Sequence, residues 1–382
     1  MERTGAAVYV DMRTKATYPL MPPRWRSDTG GPLMLSPLEG LDRSEIDLGE
    51  RSLWRYRAAF PVRVDVPVTL GEGCTPLIER SWLGAPALFK LEWFSPTGSF
   101  KDRGASVMIS ILREQGIQQI LEDSSGNGGA AIAAYASAGG MIAKILAPAS
   151  TQPGKTIQMR AYGAEVELVP GTRQQTADEA ERQAVDLFYA SHNWQPLFLQ
   201  GTKTLAYELW EDLSFQAPDN IVIPTGAGSN VLGCDIGFSE LLRRGQIDRS
   251  PRLFAVQPER CSPIHASFAA GVDDPVATEP LPTIAEGAAI ARPVRLKEVL
   301  EAIRRSGGTT VTVTEEEIVA ALRELALRHG LHAEPTSAAA AAGLTKLVAA
   351  GTIRASETTV VVLTGSGLKA TQRIGELLDR TR

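Results

Sequence analysis

Residues Ser95–Ala105 read "SPTGSFKDRGA", and they decide the fold. The apolar run "ALFKLEWF" precedes them and the helix-like run "GASVMISILREQG" follows. A single lysine, Lys101, therefore stands where a strand-ending loop of small hydroxyl residues meets a helix. Most lysines near helix starts are solvated surface charges. This one has a different context. Loops that follow strands lie at the carboxyl ends of open α/β sheets, where such sheets bind ligands. The positive end of a helix dipole disfavours an ammonium. In a dry site the amine then becomes a nucleophile that condenses with a carbonyl group.

From about residue 85 the chain alternates regularly. Strand candidates are "ALFKLEWF", "QQILED", "AKILAP", "EVELVP", "NIVIP", "RLFAVQ", "TTVTVT" and "TTVVVLT". Between them fall helical runs such as "GGAAIAAYASAGG", "PGKTIQMRAYG", "TADEAERQAVDLFYASH", "KTLAYELWEDL", "NVLGCDIGFSELLRRG", "TEEEIVAALRELALRHG" and "TSAAAAAGLTKLVAAG". This alternation predicts mostly parallel sheets covered by helices on both faces. So many strands imply two sheets, hence two α/β domains with a cleft between them.

Composition narrows the function. The 382 residues suffice for two domains, and 43% hydrophobic with 22% charged residues is ordinary for a globular protein. A net charge of −5 without a Lys/Arg block argues against nucleic acid. No run approaches a membrane span, and "MERTGAAVYVDMRTKATYPL" lacks a signal-peptide core, so a cytoplasmic enzyme is expected. Cys74, Cys234 and Cys261 are odd in number and far apart, and the four histidines show no zinc spacing with them. No metal is expected.

Three further strand-to-helix loops complete a pattern. "SSGNGG", Ser124–Gly129, has small residues that let backbone N–H groups approach an anion at a helix N-terminus, and Asn127 adds an amide. "PTGAGSN", Pro224–Asn230, lacks the Lys-Ser/Thr of a nucleotide triphosphate loop and the third glycine of a dinucleotide loop. A single phosphate still suits it. "LTGSGLK", Leu363–Lys369, sets Thr364 or Ser366 at a strand end, where a neutral hydroxyl meets an aromatic nitrogen. Each loop alone reads as an ordinary glycine turn. Together they offer an amine, a phosphate cradle, an amide and a hydroxyl, which match pyridoxal phosphate group by group.

These motifs, with "LWRYRAAFPV", "VTLGEGCTPL", "GTKTLAYELWEDL" and "EPTSAAAAAG", occur in the order found in the fold-type II pyridoxal-phosphate enzymes, the tryptophan synthase β-like superfamily. Over roughly residues 52 to 370 the chain resembles that family, and within it the threonine synthases. The resemblance implies two doubly wound, mostly parallel α/β domains with the active site in the cleft between them. It implies a large cofactor domain of residues 56–95 plus 201–382, and a small substrate domain of residues 96–200. Residues 1–55 would be an extension like a zinc ribbon that has lost its cysteines.

By the same resemblance Lys101 carries the cofactor, Phe100 lies beside its ring, and Asn127 bonds its phenolic oxygen. Gly226, Ala227, Gly228, Ser229 and Asn230 cradle its phosphate, and Thr364 faces the pyridine nitrogen. Ser124, Ser125 and Gly126 hold the substrate carboxylate, with Lys155 near the substrate's distal end. The implied reaction converts O-phosphohomoserine to threonine and phosphate by γ-elimination and β-hydration. The segment "GTRQQTADEA" departs from the family. Thr172 and Asp178 stand where polar and basic phosphate contacts are usual, and Arg173 is the nearby substitute. Gly128 stands where threonine is frequent. These departures keep open a β-eliminating dehydratase or ammonia-lyase that yields a 2-oxo acid and ammonia. A catalytically silent cofactor-binding relative is the alternative from another class. The partner expected is a small amino-acid substrate, and a homodimer is compatible with the sequence.

Overall fold

The computed structural model describes residues 7–151 and 153–379, without the side chains of Pro153 and Lys155. It divides into two compact units, residues 1–73 with 101–204, and residues 74–100 with 205–382. The chain thus passes between units at the Phe100–Lys101 peptide.

The strands in chain order are β1 Val8–Asp11, β2 Thr17–Pro19, β3 Leu33–Leu35, β4 Leu77–Trp82, β5 Ala85–Leu91, β6 Gln119–Glu122, β7 Ile142–Pro148, β8 Glu165–Val169, β9 Phe188–Tyr189, β10 Asn220–Pro224, β11 Arg252–Pro258, β12 Thr309–Val313 and β13 Thr359–Leu363. The helices are α1 Lys101–Glu114, α2 Asn127–Ala138, α3 Pro153–Ala161, α4 Arg173–Gln183, α5 Pro196–Thr202, α6 Thr204–Asp212, α7 Ser229–Arg243, α8 Pro263–Ala269, α9 Leu296–Arg305, α10 Glu315–His329, α11 Pro335–Ala349 and α12 Thr371–Asp379.

The first unit holds a parallel sheet of order β8-β7-β6-β9. Its core is the alanine-rich face of α2 packed on α1, with Ile109, Ile132, Ile145 and Phe198 buried together. Two glycines let α1 and α5 approach closely. A Cβ on Gly104 would meet the Phe198 ring at 2.4 Å, and one on Gly201 would meet the Arg103 carbonyl at 1.9 Å. This contact fixes the start of α1, where Lys101 sits. Residues 8–35 form a small antiparallel sheet, β2-β1-β3. Its turns gather on the buried Asp11 carboxylate, which accepts from Arg13 N at 2.8 Å and Thr29 Oγ1 at 2.9 Å.

The second unit holds the sheet β12-β11-β10-β13-β5-β4, parallel except for the β4–β5 hairpin edge. β10 and β13 are buried along their whole length, as expected of central strands covered on both faces. Helix α11 buries its run of alanines in this core, next to Val256, Val361 and Leu363. Lys90 is fully buried yet paired. Its Nζ lies 2.6 Å from Glu208 Oε1 and 2.7 Å from Asp212 Oδ2 and Thr75 O. Glu208 in turn accepts the N–H groups of Cys74 and Thr75, tying the loop before β4 to α6.

All eight strands expected from the sequence are present. One helix expectation needs correcting. "TADEAERQAVDLFYASH" is helical only as far as Gln183, and Phe188–Tyr189 form β9, paired in parallel with β6. The stretch "DLFYAS" supplies buried Tyr189 and Ala190 instead of an exposed helix face. Helix α5 was not expected at all. It is buried at all seven positions, so it has no polar stripe to reveal it.

Candidate active site

In the second unit the loop from β10 to α7 is shaped by two glycines. Gly228 adopts φ +91°, and a Cβ there would come within 2.4 Å of Val299 Cγ2. A Cβ on Gly226 would lie 2.8 Å from the Gly287 carbonyl oxygen. The chain therefore turns sharply and presents the first N–H groups of α7 without side-chain cover. Asn230, in the first turn, is 3% exposed, and neither its Oδ1 nor its Nδ2 has a hydrogen-bond partner. A buried amide left unpaired costs roughly 1–3 kcal/mol, so it calls for a ligand. An anion at a helix N-terminus supplies one. By this observation the residues fit a phosphate group.

The same unit laces Ser95–Phe100 to the loop after β13. Phe100 N donates to Thr364 O at 3.0 Å, and Ser366 N donates to Gly98 O at 3.1 Å. Lys369 Nζ donates to Thr97 O at 2.9 Å. Thr364 Oγ1 lies 3.0 Å from Ser337 Oγ, and Ser337 Oγ also accepts from Gly365 N at 2.8 Å. The neutral hydroxyl expected at Thr364 is thus one of a pair. Ser337 was missed, although "EPTS" was singled out as a motif. Ser366 is otherwise engaged, accepting from Leu368 N at 3.2 Å in the turn.

In the first unit Lys101 is the first residue of α1, and its Nζ lies 5.7 Å from the centre of the Phe198 ring. Ser124, Ser125 and Gly126 lead from β6 into α2, which begins at Asn127 with Gly126 as its N-cap. Lys155 belongs to α3, but its side chain lies outside the described residues.

Behind the Ser124 loop is a buried charged cluster. Arg173 Nη1 donates to Asp123 Oδ2 at 2.7 Å, while Tyr189 and Ser191 hydroxyls donate to Asp123 Oδ1 at 2.8 and 3.0 Å. Burial alone would push the Asp123 carboxyl up. The Arg173 charge and hydrogen bond outweigh it and hold the group below the usual range. Next to it, Glu122 accepts from the backbone N–H groups of Asp123 and His192, each at 3.0 Å, and faces His192 Nδ1 at 2.9 Å. Burial, with the neighbouring Asp123 charge, pushes Glu122 up to about 8. Burial and the Lys101 charge hold His192 well below its ordinary value.

Two readings of this region change. Asp178 does not face the cluster. It is exposed, and it accepts from Gln174 at 2.8 Å on the outer side of α4. Five residues of helix carry it about 140° round from Arg173. The carboxylate that meets Arg173 is Asp123, and Arg173 is committed to it. Glu122, Asp123 and His192 were not singled out from the sequence. The available signal was a buried strand, "QILED", ending on two acidic residues beside a glycine loop.

Two units built on helix-covered parallel sheets, one with a lysine opening a helix and one with a glycine loop that fits a phosphate, agree with what the sequence leads one to expect of a fold-type II pyridoxal-phosphate enzyme. Comparison with known proteins bears on the same point. Residues 68–365 match the family described as "Pyridoxal-phosphate dependent enzyme". The threonine synthase of Methanocaldococcus jannaschii is 36% identical over 84% of this chain and 81% of its own length. That of Mycobacterium leprae is 34% identical over 82% and 87%. Among solved structures, a fungal L-serine ammonia-lyase from Rhizomucor miehei superposes with a TM-score of 0.70 at 22% identity, covering 80% of this chain and 98% of its own. Maize serine racemase gives 0.66 at 22%, covering 80% and 93%. The chain belongs to the pyridoxal-phosphate dependent enzyme family, as a threonine synthase-like member that uses pyridoxal phosphate in amino-acid metabolism. Among the described residues no helix is long and apolar enough to cross a membrane, and no group of His, Cys, Asp or Glu is placed to hold a metal ion.

Proposed function

We propose that the enzyme converts O-phosphohomoserine and water to threonine and phosphate. The observation that carries this reading is the similarity, over most of the chain, to proteins named threonine synthase. Bound pyridoxal phosphate supplies an electron sink that stabilises negative charge at the substrate Cα. Lys101 would hold it through its Nζ and would move the proton at the substrate Cα. The loop Gly226, Ala227, Gly228, Ser229 and Asn230 takes its phosphate. Phe100 would flank the ring, Asn127 would bond the phenolic oxygen, and the Thr364–Ser337 hydroxyls would meet the ring nitrogen. A neutral hydroxyl there does not favour a permanently protonated ring, which suits elimination over transamination. Ser124, Ser125 and Gly126 orient the substrate carboxylate at the N-terminus of α2. Lys155 serves the distal phosphate. The protein works in the cytoplasm on small amino acids, and a homodimer is compatible with this reading.

One observation favours a second reading, β-elimination of an unphosphorylated hydroxy amino acid to a 2-oxo acid and ammonia. A phosphate dianion in a closed site needs charge-assisted donors. Arg173, the substitute expected from the sequence, is neutralised by Asp123. One experiment separates the two readings. The purified holoenzyme is incubated with O-phosphohomoserine, threonine and serine, and phosphate, threonine, 2-oxo acid and ammonia are measured. Phosphate and threonine in equal amounts support the first reading. Ammonia and 2-oxo acid from serine or threonine, with O-phosphohomoserine turned over poorly, support the second.

A further inference from the structure

The Glu122–His192 pair is used by none of the contacts proposed above, yet the fold makes room for it. Gly128 lies in the first turn of α2 with helical backbone, so its conformation does not require glycine. A Cβ there would lie 2.7 Å from His192 Cε1, 2.8 Å from Nδ1 and 2.9 Å from Ser124 Oγ. Glycine in a helix costs about 1 kcal/mol relative to alanine. That cost admits the imidazole to the N-terminus of α2, against the Ser124 loop. Both Lys101 and His192 lie on Phe198, each 5.7 Å from its ring centre. Glu122 fixes the ring through Nδ1, and no other hydrogen bond reaches the ring among the described residues. Nε2 is bonded to the same Cε1 that faces Gly128, so it lies beside the loop. A carboxylate that orients one ring nitrogen and leaves the other to react is the arrangement of a general acid–base pair.

We infer that His192, oriented by Glu122, is a second proton-transfer residue of this site, serving the oxygen on the substrate Cβ while Lys101 serves Cα. The inference rests on the proposed function, in which the Ser124 loop takes the substrate carboxylate. Both reactions considered there make or break a Cβ–O bond. In hydration the water oxygen bonds to Cβ of the unsaturated chain and its proton passes to Nε2. The proton on Nδ1 then moves to Glu122. The electron pair of the C=C bond goes to Cα, which takes a proton from Lys101. The dyad returns its extra proton to solvent before the next turnover. Elimination of a Cβ hydroxyl runs the same steps in reverse, with Nε2–H protonating the departing oxygen. The groups facing the dyad are Asp123 beside it, Lys101 of α1, Arg173 of α4 and Tyr189 of β9. With Glu122 pushed up to about 8, the dyad exchanges its proton near neutral pH. Hydration needs the proton-poor dyad and speeds up as pH rises toward that value. Elimination needs the proton-rich dyad and slows above it.

The test uses holoenzyme with ¹⁵N-labelled histidine, the variants His192→Asn and Glu122→Gln, and cofactor absorbance as the check of folding. Exchange of the threonine α-proton in D₂O reads Lys101. Turnover reads the whole cycle. In His192→Asn, exchange stays near the wild-type rate while turnover falls about 100-fold or more, and the pH limb near 8 disappears. The His192 ring nitrogens titrate together with that limb, and Glu122→Gln removes the titration. Turnover in His192→Asn within a few-fold of wild type with the same pH profile overturns the inference. So does an equal loss of exchange and turnover, or a ring that titrates unchanged in Glu122→Gln. If wild-type enzyme turns over no amino acid with a Cβ–O bond to make or break, the proposed function fails, and the inferred role at that bond falls with it. A ring titration still tied to Glu122 would then show the dyad intact and locate the error in the proposed function.

Discussion

The loops Pro224–Asn230 and Glu122–Gly128 are both strand-to-helix junctions at the end of a central parallel strand, yet they are built differently. The first works through backbone. Its glycines are fixed by a positive φ at Gly228 and by close packing on Val299 and Gly287, and its one buried amide, Asn230, is unpaired. The second works through charge. Glu122 and Asp123 are buried one after the other and satisfied by Arg173, Tyr189, Ser191 and His192. A backbone cradle recognises a phosphate of fixed shape. A cluster of titratable side chains handles protons and selects among substrates. On the proposed function, the first loop would take the cofactor phosphate and the second would serve the substrate.

That assignment can be broken in graded steps. Lys101→Ala removes the lysine proposed to carry the cofactor, and turnover should fall on the order of 10⁴-fold or more, measured with whichever amino acid the wild type accepts. Gly228→Ala adds a Cβ in a left-handed conformation against Val299. It should cost about 2–4 kcal/mol in denaturant unfolding and weaken cofactor binding about 100-fold. Arg173→Ala leaves Asp123, 3% exposed at its side chain, without its guanidinium. Loss of about 2 kcal/mol is expected, less than for a fully buried pair because a third of the Arg173 side chain reaches solvent. The folded Asp123 carboxyl is held below its unfolded value, so this stabilisation is present above the ordinary aspartate range and is lost as pH falls through that range to the lower folded value. Unfolding of both proteins at neutral and acid pH should therefore show a gap that closes in acid, with cofactor content unchanged. Asn230→Leu gives the smallest effect and the sharpest contrast. Without cofactor the variant should be more stable by about 1 kcal/mol, since an unpaired buried amide is removed, whereas cofactor affinity should fall about tenfold.

The same contrast explains what could be read in advance. Lys101, Gly226–Asn230 and Thr364, the residues proposed to hold the cofactor, stand in short loops at strand-to-helix junctions, so composition and order drew attention to them. The charged cluster joins positions far apart in sequence. Glu122 meets His192 across 70 residues and Asp123 meets Arg173 across 50. The path from Glu122 to His192 runs through β9, two residues long and embedded in a stretch whose charges read as helix. No local period marks such a strand, because its pairing with β6 is what defines it. Arg173 was found as a residue but not in its role. Only the fold shows that its charge is already taken by Asp123.

The most direct measurement reduces the holoenzyme with borohydride, digests it and maps the pyridoxyl-modified peptide. The account predicts one modified residue, Lys101, in the peptide containing "SPTGSFK", and no adduct in Lys101→Ala. An adduct on another lysine, or undiminished labelling in the variant, would contradict it.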